Sequence, residues 1–102
     1  MSHITELQDA INKLHKARAT HVESVPVREA HQGRTVWEGV AEVFRLRGHP
    51  MTNRIYGWVH DTDDPKHPKQ YVTVLHVPPV VSPQTAVQAV ILQEYKSRAK
   101  SN

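Results

Sequence analysis

Between Thr35 and Val77 the chain carries three runs rich in β-branched and aromatic residues: TVWEGVAEVFRL (35–46), RIYGWVH (54–60) and QYVTVLHV (70–77). Val, Ile, Thr, Tyr, Phe and Trp suit the pleated, half-buried surface of a strand, so these runs read as strands. Side chains alternate across a strand. Tyr56, Trp58 and His60 therefore share one face, and Ile55, Gly57 and Val59 share the other. A sheet with two unequal faces needs cover on each, and what covers the aromatic face bears on function.

The flanking segments complete an α+β pattern. RGHPMTN (47–53) and DTDDPKHPKQ (61–70) interrupt the apolar runs and read as loops, the second a solvent-exposed hairpin tip. SVPVREA (24–30) reads as a short strand confined to a sheet edge, because Pro26 has no N–H to give to a ladder. HQGR (31–34) reads as a turn and residues 19–24 as a connection. Ile4, Leu7, Ile11 and Leu14 recur at helical spacing, with Ser2 as cap and Lys13, Lys16 and Arg18 at the favourable end of the helix dipole. A second helix starts at Ser82 as N-cap and Pro83 as first helical residue. It buries Val87, Val90, Ile91 and Tyr95, while Ala86 and Ala89 allow close approach. The expected order is α-β-β-β-β-α, an antiparallel meander of three to four strands within one domain over residues 1–102. Both helices are expected on one face, making a two-layer sandwich.

Length and composition narrow the classes. A chain of 102 residues supports one modest core. The absence of cysteine excludes disulfides and thiolate metal sites and suits a reducing cytoplasm, the expected location. No apolar run approaches the roughly 20 residues of a membrane helix, so no membrane partner is expected. The net charge is +3, and the basic residues are spread along the chain.

With Leu46 paired near Arg54 and His60 near Tyr71, one face holds Ala41, Val43, Ile55, Gly57, Val59, Val72 and Val74. The other gathers Phe44, Tyr56, Trp58, His60 and Tyr71, with Thr73, Leu75, Glu38 and Glu42. That aromatic side is the candidate interaction face, since such a patch is rarely left open on a monomer. The expected function is therefore a protein-interaction or self-associating, homodimeric module. In the alternative arrangement the same aromatics fill the core under the helices. Two further alternatives remain open. A small-molecule or enzymatic site would need a pocket lined by Tyr56, Trp58 and His60. A nucleic-acid module would need Arg45, Arg47 and Arg54 to share a surface with Lys96, Arg98 and Lys100. The helix–strands–helix order resembles that of double-stranded RNA-binding domains. However, the second helix opens with SPQTAVQ, not the lysine cluster those domains use.

Chemistry leaves little trace in the sequence. The eight histidines include no pair four apart, the spacing of a helical metal site. The densest group is His60, Asp61, Asp63, Asp64 and His67, on a proline-rich loop that reads as a solvated tip. There is no cysteine nucleophile, glycine-rich phosphate loop or serine elbow. Glu38 and Glu42, about 13 Å apart along a strand, are too distant for a coupled acid–base pair. No catalytic, cofactor or metal residue is assigned, and no cofactor is implied.

Overall fold

In the computed structural model, which describes residues 3–61, 64–66 and 68–100, the chain forms helix α1 (His3–His15), strands β1 (Arg18–His31), β2 (Arg34–Arg47), β3 (Arg54–Asp61) and β4 (Lys69–Leu75), and helix α2 (Pro83–Lys100). The strands make one antiparallel sheet in the order β1-β2-β3-β4. The α+β meander and the α-β-β-β-β-α order match the expectation. β1 is longer than expected and takes in residues 19–24, because almost its whole length pairs with the equally long β2. Pro26 does lie on an edge strand. The two-residue turn between β1 and β2 places Gln32 at φ 52° and Gly33 at φ 78°. Two successive positive φ values match the twist of a tight hairpin, and glycine adopts the second without steric cost.

The layering differs from the two-layer expectation. Leu7 and Ile11 of α1 pack with Ala19, Phe44, Leu46 and Ile55. Ala86 and Val87 of α2 pack with Val27, Ala41, Val43, Tyr56 and Trp58. Val43 and Phe44 are neighbours in one strand, as are Ile55 and Tyr56, so the two clusters occupy opposite faces of the sheet. The helices therefore sandwich the sheet between them. α1 comes close to it at Gly57, where an added Cβ would stand 3.4 Å from Leu7 Cδ2 and 3.3 Å from the Val72 carbonyl oxygen.

The start of α2 follows its sequence signature. The Thr85 N–H donates to Ser82 Oγ at 3.2 Å, and Thr85 Oγ1 accepts from the Val81 and Ser82 N–H groups at 2.9 Å each. This reciprocal cap satisfies donors that the first helical turn leaves open. A Ser82→Ala variant is expected to lose about 1 kcal/mol of unfolding free energy in urea titration. An unchanged midpoint would show that Thr85 alone carries the cap.

Candidate functional site

Register decides where the expected site residues fall. Arg45 pairs with Arg54 and Phe44 with Ile55, while Val59 pairs with Tyr71 and His60 with Gln70. Each pairing differs by one residue from the expected register, and a shift of one moves a strand's side chains to the other face. Tyr56, Trp58 and His60 accordingly share a face with Ala41, Val43, Val72 and Val74. Phe44 and Tyr71 lie on the opposite face with Glu42, Ile55 and Gly57. The single aromatic interaction face is not formed.

Burial completes this correction. Phe44 and Tyr56 are 0% exposed and Trp58 3%, so all three belong to the core under the helices. The Tyr56 hydroxyl lies 2.6 Å from His76 Nδ1. Burial raises its pKa above the ordinary phenol value, against the opposing pull of the neighbouring Arg54 guanidinium. Tyr71 is half-exposed and donates its hydroxyl proton to Glu6 of α1. That contact, with the carboxylate close by, also raises its pKa. His60 is exposed near the end of β3. His67, Asp63 and the Asp61 side chain, members of the weighed metal loop, lie outside what the structure describes. Among the described residues no group of three or more His, Asp or Glu side chains is placed to hold a metal ion.

Three features remain around which function can be built. The first is a cleft of about 590 Å³ beside β4, walled by Trp37, Trp58, Val72 and Val74 and by Val90 and Ile91 of α2, with His60 at its rim. Trp37 meets Trp58 edge-on at 5.5 Å. Of the three residues that the alternative small-molecule reading requires, Trp58 and His60 line this cleft and the buried Tyr56 does not. The second is a buried carboxylate. Glu42, 1% exposed, accepts from His21 Nε2 at 2.9 Å, from His3 Nε2 at 3.2 Å and from the Ser24 hydroxyl. Burial pushes its pKa up, yet these three donors outweigh burial and hold it below the ordinary carboxylate value. Ser24 directs its proton to the carboxylate and stands 3.5 Å from His21 Nε2, so the trio is not arranged as a nucleophile and its base.

No protein-family model, curated protein or solved structure matches the chain. The third feature is the free edge of β4, which no other strand pairs. His76 N–H donates to the Arg54 carbonyl at 3.0 Å, which sets the alternation of the ladder. Residues 70, 72 and 74 therefore bond to β3, and Tyr71, Thr73 and Leu75 turn their N–H and C=O groups outward. Leu75 C=O also receives the Val77 N–H at 2.9 Å.

Arg45, Arg47 and Arg54 are exposed on one face at one end of the sheet, joined there by Arg18, expected at the end of the first helix and found as the first residue of β1. The side chains of Lys96, Arg98 and Lys100 lie outside what the structure describes. Sequence reasoning also missed the Glu42 group. Only the pairing of Ser24 with Glu42 across β1 and β2, and the return of α1 over that spot, bring it together.

Proposed function

We propose that this chain works by strand-to-strand association, pairing with a second copy of itself through the free edge of β4. The observation that carries this reading is the contrast between the two sheet edges. β1 is blunted by Pro26, by bulges at His21/Glu23 and Glu29/Ala30, and by Arg18, Glu23, Arg28 and Glu29. Such devices protect an edge from unwanted pairing. β4 carries a single charge, Lys69 at its first position, and from Gln70 to Leu75 it has no proline, no charge and a run of β-branched residues.

The edge is self-complementary. A two-fold axis at Thr73 sets Thr73 against Thr73 of the second copy and Tyr71 against Leu75, so each outward donor meets an outward acceptor. Lys69 then lies opposite Val77, and no like charges face each other. The clefts of the two copies open onto the same face of one continuous sheet, giving apolar cover beyond the strands.

Light scattering across a tenfold concentration range is expected to give the dimer mass. Thr73→Pro is expected to give a folded monomer, because the N–H it removes points away from β3. Thr73→Cys is expected to form a disulfide-linked dimer on oxidation, since a hydrogen-bonded antiparallel pair holds its Cα atoms about 5.5 Å apart, within disulfide reach. A monomer at every concentration, or a dimer that survives Thr73→Pro, would overturn the reading.

A further inference from the structure

Arg47 stands directly opposite Arg18, and Arg45 directly opposite Arg54. The four residues occupy one face, on three adjacent strands, and all are exposed. Like charges directly opposite across strands are destabilising. Here two such pairs lie side by side, about 6.6 Å apart along β2 at roughly 3.3 Å per residue. None of the four forms an ion pair with a carboxylate among the described residues. Glu23, opposite Val43, is the acidic neighbour on this face. Glu38 and Glu42, whose charge would repel an anion, project from the other side of β2, and Glu42 is buried there.

We propose that Arg18, Arg45, Arg47 and Arg54 form a phosphodiester-binding surface that takes a nucleic-acid strand. An external anion resolves the repulsion that the fold leaves standing. Two arginines per pair favour phosphate over carboxylate. The two unesterified oxygens of a phosphodiester diverge and each can take a different guanidinium, whereas one guanidinium fork already fills a planar carboxylate. The spacing between the pairs asks for a ligand that repeats its charge at a comparable interval, as a sugar–phosphate backbone does. The contacts are to backbone, so the surface carries affinity without sequence preference. This site is separate from the β4 edge and stands whether or not the chain dimerises.

The test is fluorescence anisotropy with a labelled oligo(dT) of about 20 nucleotides at about 50 and 200 mM salt. Four phosphate contacts on a single strand predict a roughly 50-fold loss of affinity over that interval. In the Arg45→Gln/Arg54→Gln variant the loss is expected to shrink to about sevenfold, with two contacts remaining. Lys66→Gln/Lys69→Gln, with the same charge change at the opposite end of the sheet, is expected to keep the wild-type salt dependence. A cooperative thermal transition confirms that the arginine variant is folded. No binding at the lower salt, or equal effects of the two double variants, would overturn the proposal. So would binding to anionic phospholipid vesicles or polyglutamate in place of the oligonucleotide.

Discussion

Phe44→Ala is expected to lower the unfolding free energy by about 3–5 kcal/mol, the range for removing a buried aromatic ring. Phe44 is fully buried among Leu7, Ile11, Ala19, Leu46 and Ile55, and the His21 ring meets its edge at 5.4 Å. The six-membered ring sits under α1, so its loss opens a cavity between that helix and the sheet. A helix of 13 residues is marginal by itself and depends on such packing. Small domains hold about 5–15 kcal/mol in total, so this one substitution removes a large share. Urea titration followed by far-ultraviolet circular dichroism measures it. A loss under 1 kcal/mol, with association weakened instead, would return Phe44 to an interaction face and contradict the packing described above.

The sequence made the elements legible and left their register hidden. The cap at Ser82, the edge position of Pro26 and the HQGR turn each depend on local chemistry, and each is found in the structure. Register in the two other hairpins depends on loops with no comparable signature. Between β2 and β3, the Leu46 N–H donates to the Asn53 carbonyl at 2.7 Å, so Leu46 faces Asn53 and Arg45 faces Arg54. Thr52 Oγ1 helps close this end of the sheet by donating to the His76 carbonyl at 2.8 Å. Nothing in RGHPMTN announces that arrangement. One residue of difference on each side of β3 was enough to divide the supposed aromatic face between two cores. The same register gathered arginines that stand on three separate segments of the chain. Arg18 was hidden for a further reason: residues 19–24 look like a connection until the long β2 is seen to pair with them.

Glu42→Gln is expected to remove about 1.5–3 kcal/mol of stability at neutral pH, the worth of hydrogen bonds to a charged group in a buried setting. The magnitude is held to this range because His3 and His21 are partly exposed and regain water when the carboxylate is lost. The pH dependence supplies the sharper readout. In the folded chain the Glu42 pKa lies below its ordinary value of 4.5, since donation from Ser24, His21 and His3 outweighs the cost of burial. A depressed carboxylate pKa means that the unfolded chain takes up the proton first as acid is added. Its contribution is therefore complete above pH 4.5 and is lost as the pH falls through the folded-state pKa. Glutamine has no such proton to bind. Urea midpoints measured from about pH 5 down to about pH 3 should separate wild type from variant by a gap that narrows as the pH falls below 4.5. A gap that persists unchanged into acid would mean that the side chain acts through shape and neutral hydrogen bonding, and that no buried charge joins α1 to the β1–β2 hairpin.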